Sequence, residues 1–242
     1  MTTFVSCFIK DVNTIKYRNT DKYLELGKLL INCDIPKVIF MNQSLIDSIK
    51  NYNRENTIFI PFEKEDLFFY KYKNDITDFS LNTGNIDKDT LDYMLLMNNK
   101  TEFIQSAIKL NPFYTDQFIW VDFGLKYIMN VSNDVYMKYI SNLIHKSYEN
   151  IRISSGLDPR IYNNNTDIYK NVEWYFAGGV FGGSSQKLLL FADKCREKVK
   201  EVIQEKKSLM WEVNIWYLVF LENKELFNIY TARFDNSMLI NY

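Results

Sequence analysis

The sequence predicts an α/β fold, a mostly parallel sheet flanked by helices, and three observations carry that expectation. Short apolar runs alternate with helix-period segments along the first half of the chain. The runs are bounded by proline and polar turns, as strands covered on both faces are. The chain has 242 residues, 47% hydrophobic and 24% charged, which suits one domain with a sizeable core and leaves disorder and fibrous repeats as poor readings. Residues 1–242 are therefore expected to form a single domain.

In chain order, Phe4 to Ile9 reads as a first buried strand. Thr20 to Asn32 reads as a helix, with Tyr23, Leu24, Leu26, Leu29 and Leu30 at helical spacing behind a Thr20 or Asp21 cap. Lys37 to Met41 is strand-like after Pro36, Ser44 to Lys50 a short helix, and Thr57 to Ile60 a strand stopped by Pro61. Lys73 to Lys88 has no sustained period and predicts a long loop. From Asp87 to Leu110 an apolar stripe predicts one helix ended by Asn111-Pro112. Phe118 to Asp122 is an apolar strand closing on an acid. Lys126 to Ser147 reads as mostly helical, Ile151 to Ile153 as a strand, and Asp158 to Asn171 as an Asn-rich loop. Trp174 to Gly183 is strand-like and holds four of the eight glycines. Ser184 or Ser185 caps a helix running to Lys206, Ser208 to Leu221 is a second helix, and Leu226 to Tyr230 a late strand.

Charge and composition narrow the chemistry. Lys and Arg total 29 against 30 Asp and Glu, a net charge of -1, so no overall basic field points to nucleic acid or an anionic membrane surface. No run of about 18 apolar residues predicts a transmembrane segment. The single histidine, His145, removes most histidine-based chemistry and reads as solvated on a surface helix. Cys7, Cys33 and Cys195 are odd in number and form no CxxC, and the segment Met1 to Lys10 does not resemble a secretory leader, so a cytoplasmic protein is expected.

In a parallel sheet, ligands bind beyond the carboxyl ends of the strands, where Asp122 is predicted to lie. A carboxylate there holds a divalent cation or a ribose hydroxyl, or caps the following turn. The tripeptide Asp122-Phe123-Gly124 invites a kinase reading, which fails because no catalytic loop, glycine-rich phosphate cover or strand lysine accompanies it. Lys100 falls on the apolar stripe. An inward ammonium needs a partner, such as a ligand diphosphate or Asp122, unless it snorkels from the margin. Glu212 shares a helical face with Ile215, Trp216 and Val219 and suits a base, a nucleophile or a holder of substrate hydroxyls; a structural ion pair to Lys100 or Arg152 is the alternative. The glycine-rich segment matches neither GxGxxG nor a P-loop. Its glycines admit a substrate, admit another backbone, or make tight turns.

The order of Phe113 to Gly124, Phe176 to Gly183 and Trp211 to Asn214, with the opening strand, Asn99-Lys100-Thr101 and the closing Asp235 to Tyr242, resembles the HtrL/YibB (WlaTC/HtrL) family of glycosyltransferase-like proteins over nearly the whole chain. The resemblance implies a GT-A-like glycosyltransferase that moves a hexosyl unit from a nucleotide-sugar, a UDP-sugar, to a glycan or related acceptor. A catalytically inactive module that binds a glycan or protein is the alternative. It implies Asp122 as donor and metal ligand for Mn²⁺ or Mg²⁺, although Gly124 stands where the usual second acid would be. Lys100 would neutralise phosphate, and Ser6 and Phe8 would border the nucleotide. Ala177, Gly178, Gly179 and Trp211 would meet the sugar or acceptor, and Glu212 would be catalytic.

Overall fold

The structure is a computed structural model that describes residues 1–49, 55–81, 83–156 and 167–242. Seven strands form one sheet: β1 (Thr2–Phe8), β2 (Lys37–Met41), β3 (Thr57–Pro61), β4 (Gln117–Val121), β5 (Ile151–Ser155), β6 (Phe176–Ser184) and β7 (Phe227–Thr231). Their order is β3-β2-β1-β4-β6-β5-β7, and only β6 runs antiparallel to its neighbours. The α/β class read from alternating strand and helix signals is the class observed.

Side chains alternate across the strands, which separates two packed faces. Val5, Val38, Phe118, Trp120, Ile153 and Phe181 face one layer of helices, α4 (Leu91–Asn98), α5 (Lys100–Leu110), α7 (Ser185–Lys206) and α8 (Glu212–Glu222). Phe4, Phe8, Ile39, Ile119 and Val121 face the other, built from α2 (Thr20–Asn32), α3 (Gln43–Ser48), α6 (Asn133–Asn142) and α9 (Ser237–Ile240). A one-turn helix α1 (Lys10–Asn13) follows β1. Among the described residues no helix is long and apolar enough to cross a membrane, and the three cysteines are buried and free.

Several boundaries depart from the periodicity, the first three of them for tertiary reasons. The single helix expected from Asp87 to Leu110 starts at Leu91 and is broken at Asn99, whose Oδ1 accepts the Phe68 amide at 2.9 Å. The helix expected from Ser208 begins only at Glu212, and the Asn98 amide donates to the Met210 carbonyl at 2.8 Å in the segment before it. Pro61 belongs to β3 rather than stopping it, because β3 is an edge strand where a missing N–H costs no ladder bond. The stretch from Lys126 to Ser147 is helical only over α6, with short 3₁₀ turns at Leu125–Ile128 and Leu143–His145. Tyr70–Asp75 forms a 3₁₀ turn at the start of the expected long loop. Of the loop expected from Asp158 to Asn171, residues 158–166 lie outside the described residues.

Candidate functional site

The site grows from a change of direction in the sheet. From β1 the chain builds outward to β2 and β3, then returns to place β4 on the other side of β1, which creates a crevice between β1 and β4 at their carboxyl ends. The β1–β4 ladder ends at Val5 opposite Trp120. One residue further on, the Ser6 hydroxyl donates to the Val121 carbonyl at 2.7 Å and so ties the strand ends together. Because β6 is antiparallel, its amino end arrives here too, with Val180 opposite Val121 and the Asp122 amide donating to the Gly179 carbonyl at 3.0 Å.

Against β5 the same strand slips: Ile153 pairs with Phe181, yet Ser155 pairs with Phe176, so Ala177 to Val180 bulge out of that ladder. Bulges of this kind re-aim backbone groups beside binding sites. Here the Gly178 carbonyl accepts a hydrogen bond from Lys100 Nζ at 3.0 Å. Lys100 opens α5, directly after the break at Asn99. Its Nζ also lies 3.0 Å from Glu212 Oε1 and 3.0 Å from Asp122 Oδ1. Three oxygens thus match the three donors of the ammonium. Lys100 and Glu212 are each 3% exposed and Asp122 is 38% exposed, so the pair is buried and Asp122 is its edge toward the cleft. Burial pulls the lysine pKa down, but the two carboxylates outweigh it and hold it above the ordinary lysine value. Asp122 Oδ1 also accepts from the Trp120 indole at 2.6 Å.

The cleft itself is a cavity of about 200 Å³ whose wall includes all three of these charged residues. On one side stand Tyr93, Trp211, Trp174 and Phe234 in a chain of edge-to-face contacts, with successive centroids 5.8, 5.6 and 5.0 Å apart. On the other, Phe8 stacks on Tyr23 at 5.0 Å and on Phe123 at 5.3 Å. Two further cations, Arg18 and Lys88, complete the charged lining. Three residues of this wall each carry a buried polar atom with no hydrogen-bond partner: Nε1 of Trp211 and Nε of Arg18, both donors, and Oε2 of Glu212, an acceptor.

The residues do not make a dedicated metal cage. A hard divalent cation needs several oxygens with free lone pairs. Asp122 Oδ1 is already shared between an ammonium and an indole N–H, and that ammonium sits between Asp122 and Glu212. Among the described residues no three His, Cys, Asp or Glu side chains cluster.

Of the residues expected at a ligand, Phe8, Lys100, Asp122, Gly178, Gly179, Trp211 and Glu212 all line the cavity. Ser6 and Ala177 do not. Ser6 is buried beneath the strand ends with its hydroxyl engaged by Val121, and Ala177 points into the core on the far face of the sheet. The glycine at 178 also has a more local reason than access for a ligand. A Cβ there would lie 2.8 Å from Glu212 Oε1 and 3.1 Å from Val213 Cγ1, so the missing side chain leaves room for Glu212 itself. Arg152 is not a partner of Glu212; it donates to Asn228 Oδ1 and to the Asn241 carbonyl. His145 is exposed, as expected. Arg18, Lys88, Tyr93 and Phe234 escaped the sequence reading. Three of them sit in irregular segments, where no apolar period marks a side chain as inward.

Fold and site together define a single-sheet, Rossmann-like α/β protein with a buried lysine–carboxylate pair at its switch-point cleft. The chain belongs to the family described as "Bacterial protein of unknown function (HtrL_YibB)", whose model matches residues 2–239. No curated protein matches it.

Proposed function

We propose that the protein is a glycosyltransferase that moves a hexosyl unit from a nucleotide-sugar, of the UDP-sugar class, to a hydroxyl of a glycan or related acceptor. The observation that carries this reading is the pair of unmet polar atoms on adjacent residues, Trp211 Nε1 and Glu212 Oε2, in an aromatic-walled cleft. A buried polar group without a partner costs about 1–3 kcal/mol, so the wall is built for ligand groups that both accept and donate hydrogen bonds. Sugar hydroxyls do both, and the row of aromatic side chains Tyr93, Trp211, Trp174 and Phe234 suits the flat apolar face of a hexose.

In the transfer, the bond between the anomeric carbon and the diphosphate oxygen breaks, and its electron pair leaves with the diphosphate. A bond forms from the acceptor oxygen to the same carbon, and the acceptor proton is released. Glu212 holds hydroxyls beside the reacting carbon through Oε2, the atom left open to receive that proton, while Lys100 fixes Oε1. Asp122, on the exposed side of the pair, accepts from the donor ribose, and Phe8 borders the nucleotide.

The test is a screen of UDP- and GDP-sugars for release of the nucleoside diphosphate, UDP or GDP, with and without glycan acceptors. Turnover of one donor is expected, and Glu212→Gln should lower it about 10²-fold or more. Turnover also ends the competing view of a binding-only module. Wild-type rates in Glu212→Gln would remove that residue from the mechanism, and no turnover of any donor would leave the binding module standing.

A further inference from the structure

We infer that the cleft holds the diphosphate of its ligand with Arg18 and Lys88, two cations of its lining, and does so without a divalent metal ion. The inference rests on the transferase reading for the nucleoside attached to that diphosphate, but the clamp is argued from the charges themselves. Arg18, Lys88 and Lys100 face the cavity against only Asp122 and Glu212. Lys100 is taken up by those two carboxylates and the Gly178 carbonyl. Arg18 and Lys88 have no carboxylate within ion-pair distance among the described residues; instead they lie against rings, Arg18 at 4.3 Å from the Tyr127 centroid and 5.1 Å from that of Tyr23, and Lys88 at 5.6 Å from that of Tyr93. Rings hold a cation in place without satisfying its hydrogen-bond donors. The Arg18 Nε is buried and has no acceptor.

Two half-buried cations lining one cleft repel each other. Burial, and then the charge of Arg18, pull Lys88 below the ordinary lysine pKa, while Asp122 and Glu212 pull it up and Lys100 pulls it down. A diphosphate between them relieves that repulsion, fills the empty donors, and leaves as a neutralised group. At the acidic strand end, Asp122 Oδ1 is taken by the Lys100 ammonium and the Trp120 indole, and no second acid stands at Gly124, so the chain offers a divalent cation too few free carboxylate oxygens there.

Equilibrium binding at pH 7.5 with inorganic pyrophosphate and with UDP, each in EDTA and in excess Mn²⁺ or Mg²⁺, tests this on the full chain. Pyrophosphate should bind in EDTA. Arg18→Gln and Lys88→Gln should each weaken it about ten- to a hundredfold, the loss of one charge-assisted hydrogen bond, while Lys88→Arg keeps most of the affinity. Thermal melting of each variant shows that the fold is retained. Absence of pyrophosphate binding, binding only after metal is added, or undiminished binding in both glutamine variants would overturn the clamp. If pyrophosphate binds through these two residues and UDP binds no tighter, the clamp stands and the nucleotide-sugar reading falls. If UDP binds only with metal, the clamp falls and the transferase reading survives.

Discussion

Lys100 is where stability and chemistry meet at the residue scale. Its ammonium compensates a carboxylate, Glu212, that is 3% exposed, and the pair is separated by more than a hundred residues of chain. Removing one member of a buried ion pair leaves the other charge without solvent or partner, at a cost of about 3–5 kcal/mol. Lys100→Met should therefore lower the free energy of unfolding by that amount in urea titration, and Lys100→Met/Glu212→Gln should recover part of it. A single variant as stable as wild type would mean that the pair contributes nothing. The three charged residues of the pair and its rim were legible in the sequence because charge on an apolar helical face, or at the end of an apolar strand, stands out. Arg18 and Lys88 were not, since a cation in a turn is unremarkable until the fold aims it.

At the scale of elements, the amino half of β6 decides the geometry. It follows β4 up to Val121, bulges away from β5 between Phe176 and Phe181, and presents the Gly178 carbonyl to Lys100. Glycine at 178 is required by what packs on it: a Cβ would meet Glu212 Oε1 at 2.8 Å, Val213 Cγ1 at 3.1 Å and Trp216 Cζ3 at 3.4 Å, all from the first turns of α8. Gly178→Ala should destabilise the protein by about 1–3 kcal/mol, the usual cost of overpacking, and Glu212→Asp in the same chain should relieve some of it by shortening the crowded side chain. Thermal melting of the two variants reads this; an unchanged midpoint in Gly178→Ala would show that the close packing is not what calls for glycine. A similar glycine serves the sheet itself at Gly182, where a Cβ would run into the Phe118 carbonyl. The clustering of glycines was visible in the sequence, but not which neighbour each one admits. Helix α7, by contrast, runs from Ser185 to Lys206 behind a Ser184 cap, as its period and its capping serine predict, because both signals are local.

Over the whole molecule, groups that must stay protonated are built into the core. Burial raises the thiols of Cys7, Cys33 and Cys195, Cys33 to about 11, and burial likewise raises the phenols of Tyr93, Tyr136, Tyr230 and Tyr242. For each, the folded pKa lies above the unfolded one, so the folded state holds the proton more tightly. Their stabilisation is complete below the unfolded values of 9.0 for the thiols and 10.0 for the phenols, and is lost as pH rises through the folded values. Urea midpoints measured from pH 7 to 11 should be level to about pH 9 and then fall steadily. A midpoint that holds level to pH 11 would contradict the burial of these groups.

Local pattern alone specifies the α/β class, the approximate span of most strands and the α2 and α7 helices, and three charged residues in need of partners, because period, capping and misplaced charge are properties of neighbouring residues. Long-range packing is what joins Lys100 to Glu212, Asp122 and the Gly178 carbonyl, breaks the helix at Asn99, and brings Arg18 and Lys88 to the same cleft. Those outcomes depend on strand order and on a bulge in one strand, which bring together residues far apart in the chain, and no local pattern specifies which distant element a side chain will meet.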